Sequence, residues 1–251
     1  MKVSSIGFLS FLVTAASAAR EKYRYIGSGL SASASYYGDD AQCGAWPFGD
    51  YADVQASESM YETVSNGNAS STTSPQMYTY FNIWTNCKAK SATLLTTDTI
   101  DGTIGKPKIK FSNLRSASAK GKLEASIVRC TLTEEDMCPE PLPDDNTNSD
   151  PDDGDDGCYT YTYYTCDYEK AKTETIFVSA TWVGEGKAYL SKSKSVNRYE
   201  GGYSRSKSEG LSRSANTKLM IKTPNKVFLR SNNVDGSIGN NTYLDISVWT
   251  Y

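Results

Sequence analysis

The six cysteines constrain this chain more than any other feature. They lie at Cys43, Cys87, Cys130, Cys138, Cys158 and Cys166. An even set in a chain bound for an oxidising compartment reads as disulfides, and counting alone leaves many pairings open. Spacing narrows them. The residue numbers of Cys130 and Cys166 add to 296, as do those of Cys138 and Cys158. Opposed residues of an antiparallel pair keep a constant sum, so one hairpin register sets both pairs face to face. On each strand the two cysteines are 8 residues apart, an even number that puts both bridges on the same face. The nested pattern, Cys130–Cys166 with Cys138–Cys158, is expected. The sequential pattern, Cys130–Cys138 with Cys158–Cys166, uses the same equal spacing and is its rival. Cys43–Cys87 follows by elimination in either case. Zinc is disfavoured as the reason for the cysteines, because there is no CxxC and no histidine.

The compartment implied by disulfides agrees with the first residues. Lys2 is followed by the apolar stretch Ile6–Ala16, and Ala16-Ser17-Ala18 fits a small-x-small cleavage site. Residues 1–18 are expected to be a signal peptide and the remainder secreted. The apolar run is shorter than the ~20 residues a spanning helix needs, and Arg20, Glu21 and Lys22 follow at once. No later stretch approaches that length, so no membrane span is expected.

The rest of the chain carries strand signals. Tyrosine occurs 18 times, and Ser, Thr, Tyr and Gly favour strands and turns over helices. Alternation marks Tyr23–Ser35, Met77–Trp84, Lys106–Leu114, Lys122–Thr131, Thr173–Val183, Lys218–Ile221 and Tyr243–Trp249 as strands. Asp101-Gly102 and Asp235-Gly236 read as hairpin turns, and Asn66-Gly67 and Gly201-Gly202 as further turns or loops. Tyr25-Ile26-Gly27-Ser28-Gly29 is echoed by Trp182-Val183-Gly184-Glu185-Gly186, and Ile100–Gly105 by Val234–Gly239. The Gly-x-Gly pairs lack the third glycine and following helix of a phosphate loop, so a strand bend or bulge explains them. These patterns predict an all-β protein, a disulfide-stapled antiparallel β-sandwich, built as one domain or as two pseudo-repeated β-modules. Its parts are a first β-half at 19–133, a disordered acidic loop at 134–157 and a second β-half at 158–251.

Charge is unevenly distributed beneath the net −3. Residues 134–156 hold 11 acidic residues, four prolines and no basic residue, a composition that cannot bury enough apolar surface to order itself. Residues 187–222 carry nine Lys and Arg against Glu200 and Glu209, interleaved with serine. Within that stretch Lys192, Lys194, Arg198, Arg205 and Lys207 form a candidate anion-binding set. The plainer readings are solvated charged hairpins, or a basic surface that docks the acidic loop.

Histidine is absent, which removes Ser-His-Asp and Cys-His nucleophile systems. A carboxylate pair could still serve a glycosidase, but nothing in the Asp/Glu spacing singles one out. No catalytic residue and no cofactor is assigned. In the acidic loop, Asp152, Asp153, Asp155 and Asp156 could hold Ca²⁺ weakly. The EF-hand pattern fails there, with Pro151 or Gly154 where a ligand is required. Cys158–Cys166 sorts Tyr159, Tyr161 and Tyr163 to one strand face, a candidate stripe for stacking on sugars, with cross-strand packing as the plainer alternative. Asn68-Ala69-Ser70 and Asn240-Asn241-Thr242 are glycosylation acceptors, each suggesting an exposed loop.

Two segments add a resemblance. Tyr80–Ile127, with Asp101-Gly102-Thr103-Ile104-Gly105, and Val178-Ser179-Ala180-Thr181-Trp182-Val183-Gly184-Glu185-Gly186, continuing to Arg213-Ser214-Ala215-Asn216, are similar to a group of uncharacterised secreted bacterial β-rich proteins. They cover a little under half the chain, which departs from the group by its acidic loop and flanking cysteines. The resemblance implies an extracellular β-protein and no particular activity. The function expected is non-enzymatic binding, or matrix or cell-surface association, with a polysaccharide or another polyanion as partner and without nucleic acid. The alternatives are a carbohydrate-active enzyme using a carboxylate pair, and a structural or mineral-associated matrix protein with weak Ca²⁺ binding. Oligomeric state is left open.

Overall fold

Alternating sequence builds long strands here, and every regular element among the described residues is a strand. The computed structural model describes residues 19–38, 50–65, 68–88, 90–97, 101–138, 158–199 and 202–250. The elements are β1 (Ala19–Tyr37), β2 (Tyr51–Ser65), β3 (Asn68–Lys88), β4 (Ser91–Thr96), β5 (Asp101–Gly102), β6 (Lys108–Ser112), β7 (Ser116–Met137), β8 (Tyr159–Gly184), β9 (Tyr189–Tyr199), β10 (Gly202–Lys222) and β11 (Val227–Thr250).

They form one antiparallel sheet in the order β11-β1-β2-β3-β4-β7-β8-β10, and β10 pairs back onto β11. Eight strands are thereby joined in a ring, which leaves no free edge around the core. The described strands form a single sheet, so the expected division between two sheets is not found among them. Short β5 lies against β3 and β6 against β7, and among the described residues β9 pairs only with β10.

Alternate residues of the ring point inward and share one core. Ala32 and Ala34 of β1, Val54 of β2, Phe81 of β3, Leu123 of β7, Trp182 of β8, Leu219 of β10 and Ile238 of β11 all belong to it. Small and large side chains alternate, as a narrow closed sheet requires. Both halves of the sequence feed this core, and β1 is zipped to β11 over most of its length.

Beyond the core the strands run on in opposite directions. At one end β9, β10, β11, β1, β2 and β3 continue as an open ladder of Ser, Thr, Tyr and Lys. At the other, β7 and β8 continue as a ribbon whose partner sums hold at 296 from Cys130↔Cys166 to Met137↔Tyr159. Cys130–Cys166 and Cys138–Cys158 are bonded, with Cα atoms 4.0 and 4.1 Å apart, so the nested pattern is the correct one. Cys87 is also disulfide-bonded; its expected partner, Cys43, lies outside the described residues.

Several local expectations are corrected. Asp235-Gly236 is not a turn: it lies within β11, with Gly236 between Ala34 and Ala215. Asp101-Gly102 is the short strand β5, paired with Thr79 and Tyr78. Gly27 to Gly29 pair regularly on both sides, and the register shift of β1 falls between Glu21 and Tyr23. Gly184, by contrast, closes β8, and Gly186 takes the positive φ of 65° that the turn after it needs. The echoed segments therefore occupy dissimilar places. Glu134, Glu135 and Asp136 belong to β7, so the acidic segment begins as strand. Residues 139–157, with Asp152, Asp153, Asp155 and Asp156, lie outside the described residues, as do residues 1–18, where a signal peptide is expected.

Candidate functional site

The alternation Lys-Ser-Lys-Ser in β9 and Ser-Arg-Ser-Lys-Ser in β10 sorts the side chains by face. Register places Lys192 opposite Glu209, Lys194 opposite Lys207, Val196 opposite Arg205 and Arg198 opposite Tyr203. All five candidate anion-binding residues therefore share one face of the β9–β10 pair, at the edge of a sheet that continues through β11. Along a strand they repeat every ~6.6 Å, and across the pair they sit about 5 Å apart. Glu209 is the one carboxylate among them, bonded to Lys192 at 2.8 Å and Lys207 at 3.4 Å. The Lys192 hydrogen bond, aided by Lys207, holds its carboxyl below the ordinary value despite some desolvation.

Lys194 directly facing Lys207 is the informative pair. Like charges opposed across a ladder are destabilising, so packing alone does not favour this arrangement. Part of it protects the sheet, since β9 is an edge among the described strands and lysine blunts edge pairing. Arg213, on the same face, serves the fold instead. Its Nε donates to the carbonyls of Glu185 and Gly186 and ties down the β8–β9 turn.

The other face of the ribbon is hydroxyl-rich. Ser193 bonds Ser208 at 2.8 Å and Ser195 bonds Ser206 at 2.6 Å. Continued across the sheet, this face carries an aromatic group that sequence reasoning missed. Gly27 is flanked in register by Tyr61 and Tyr243, and the Tyr25 ring lies over it. Tyr25 is 6.2 Å from Tyr61, nearly parallel, and 5.8 Å from Tyr243. The available signal was a glycine between alternating aromatics, where a missing side chain makes room for a neighbour's ring.

The predicted tyrosine stripe is elsewhere, on the β7–β8 ribbon opposite Thr133, Glu135 and Met137. Tyr159 is exposed, and Tyr161 and Tyr163 are half-buried with rings 5.6 Å apart. The Tyr163 hydroxyl donates to Glu135, whose charge raises the phenol above its ordinary value. On the ribbon's other face Tyr164 packs against Trp84 at 5.4 Å, in a small outer cluster with Leu94, Val128 and Cys130. Asn68 opens β3, whereas Asn240 lies mid-strand in β11 between Leu30 and Leu211, not in the expected loop.

Docking of the acidic loop on the basic ribbon does not fit the register. The loop is rooted at Cys138–Cys158, at the end of the sheet away from β9. Measured along the strands, that root and Lys192 are on the order of 100 Å apart. A 19-residue segment held at both ends reaches only about 33 Å.

Asp50 is buried and accepts the Trp84 amide at 2.8 Å, a structural use. Asp53 accepts from Ser35 and Gln55. Among the described residues no three Asp, Glu, Cys or His side chains are grouped to hold a metal, and no helix is long and apolar enough to cross a membrane. No family model, no curated protein and no solved structure matches the chain.

Proposed function

We propose that this protein is an extracellular, non-enzymatic binding protein that docks on polyanionic glycan surfaces through the β9–β10 ribbon. The observation that carries the reading is the gathering of Lys192, Lys194, Arg198, Arg205 and Lys207 on one face, with Lys194 opposed to Lys207. A polyanion laid along the ribbon relieves that repulsion and meets cations at a regular pitch. Guanidinium groups supply paired donors for sulfate or carboxylate, and the lysines supply point charge. Secretion is supported by the disulfides, since such bonds persist in oxidising compartments. The tyrosines on the opposite face offer sugar-ring contact once the chain is held at a surface.

Retention on immobilised sulfated polysaccharide tests the reading. Wild type is expected to bind at low salt and elute as salt screens the contacts. A variant with K192Q, K194Q, R205Q and K207Q is expected to elute at clearly lower salt. The quadruple variant eluting with wild type, or no retention of wild type at low salt, overturns it.

A further inference from the structure

A second cationic site lies at the other end of the core, and nothing in the basic ribbon accounts for it. A cleft of about 390 Å³ opens where the β10–β11 turn meets β8 and the β3–β4 turn. Arg129, Lys170, Lys172 and Lys226 line it, with Glu174 the one acidic residue in its wall.

The backbone around this cleft is unusually irregular for a sheet so regular elsewhere. The β3–β4 register shifts between Thr85 and Lys88, and Asn86 between them adopts a positive φ of 57°. The β7–β8 register shifts between Ile127 and Arg129, leaving residues 168–171 opposite Val128. The β10–β11 register shifts between Ile221 and Lys222. Bulges re-aim side chains, and here three of them converge on one concavity. Without the β8 bulge, Lys170 and Lys172 would continue the plain alternation of the strand.

The charges are only partly neutralised. Lys170 bonds Asp167 at 2.7 Å. Lys226 donates to the Thr85 hydroxyl at 3.4 Å and the Asn86 amide oxygen at 3.3 Å, and its ammonium stands 4.7 Å from the centre of the Phe228 ring. These neutral partners hold the ammonium in place and leave its charge intact. Arg129 and Lys172 make no ion pair among the described residues. Four cations around one cleft repel one another, and an anion bound between them would remove that cost.

We propose that this cleft binds a tetrahedral oxyanion, a phosphate or sulfate group, free or as the ester of a sugar. Arg129 supplies the planar fork, and Lys172 and Lys226 supply point charges. The volume admits the anion together with one sugar ring. The site is independent of the basic ribbon, which lies across the core, so either can fail alone.

Calorimetric titration of the disulfide-intact chain tests it, with inorganic phosphate, inorganic sulfate, glucose 6-phosphate and glucose 6-sulfate as probes at low ionic strength. One saturable site is expected for at least one oxyanion, and tighter binding of an ester than of its free anion identifies a sugar ester as the source. R129Q with K172Q is expected to weaken binding by at least about tenfold. E174Q should tighten it, while K192Q with K194Q should leave it unchanged. If the double variant does not fold, R129K keeps the charge, loses the fork and is expected to weaken binding severalfold. No saturable binding below about 10 mM overturns the proposal, as does unchanged affinity in R129Q with K172Q or in R129K.

Discussion

The indole Nε1 of Trp182 donates a 2.9 Å hydrogen bond to the backbone carbonyl of Ser33, linking β8 to β1 across the interior. These strands are not neighbours in the ring, so this bond bridges over the two strands between them, β10 and β11. Gly236 of β11 makes the approach feasible. A Cβ there would stand 2.6 Å from the Ser33 carbonyl oxygen and 3.1 Å from the Trp182 ring. W182F, which leaves that carbonyl unpaired and a gap beside it, is expected to cost about 2–4 kcal/mol. G236A should cost about 1–3 kcal/mol by overpacking the same point. Urea unfolding monitored by tyrosine fluorescence checks both, and a neutral G236A would refute the tight approach.

Thr217 lies beside the same point and predicts the opposite sign. Its side chain is fully buried, and its hydroxyl finds no partner among the described residues. T217V keeps the shape and removes a desolvated polar atom. It should stabilise the protein by about 1 kcal/mol. A loss of stability in T217V would mean that the hydroxyl has a partner, such as a buried water.

These neighbours also mark how far the sequence could be read. The Cys130 and Cys166 register was legible because cysteines at equal spacing on two alternating strands have few ways to meet. The shared face of Lys192, Lys194, Arg205 and Lys207 was open to the same period-two reading, though the sequence alone did not reveal that β9 and β10 pair with each other. Asp235-Gly236 misled because an Asp-Gly pair carries the same local signal in a turn and in a strand where a glycine admits a neighbour. Only the long-range approach of Trp182 and Ser33 separates the two cases. Ring closure was hidden for the same reason, since β1 and β11 lie at opposite ends of the sequence. The cationic cleft was invisible because its cations come from β7, β8 and the β10–β11 turn and are aimed by register shifts that no periodicity foretells.

Asp50 gives the pH dependence a definite sign. Burial raises its carboxyl above the ordinary 3.8, with the Trp84 amide bond opposing in part. The native state thus holds this proton more tightly than the unfolded chain. Stability attributable to Asp50 is highest near and below pH 3.8 and falls as pH rises through the native value, where a charge must be buried. D50N keeps an oxygen for the Trp84 amide and cannot ionise. It should be more stable than wild type at neutral pH, with the gap closing in acid. D50A leaves the amide unpaired and should cost about 1–3 kcal/mol at any pH. Denaturation curves at pH 3.5 and 7 separate these outcomes, and a D50N gap that widens in acid would reverse the assignment.

The two described disulfides should differ in both stability and access. Cys130 is 1% exposed and packs with Trp84 and Val128, so the Cys130–Cys166 bridge sits inside a small apolar cluster. It spans a sequence separation of 36, against 20 for Cys138–Cys158. Loop closure alone favours the longer span by only a few tenths of a kcal/mol, so the difference rests on the surroundings. C130S with C166S also puts hydroxyls into the cluster and should cost about 3–5 kcal/mol. C138S with C158S frees only the ribbon end and should cost at least about 1 kcal/mol less. Because Cys138 and Cys158 are exposed, a thiol reductant should open their bridge first. Stepwise reduction with alkylation and mass spectrometry reads the order. Cys130 and Cys166 appearing alkylated before Cys138 and Cys158 would show that the cluster does not shield its bridge.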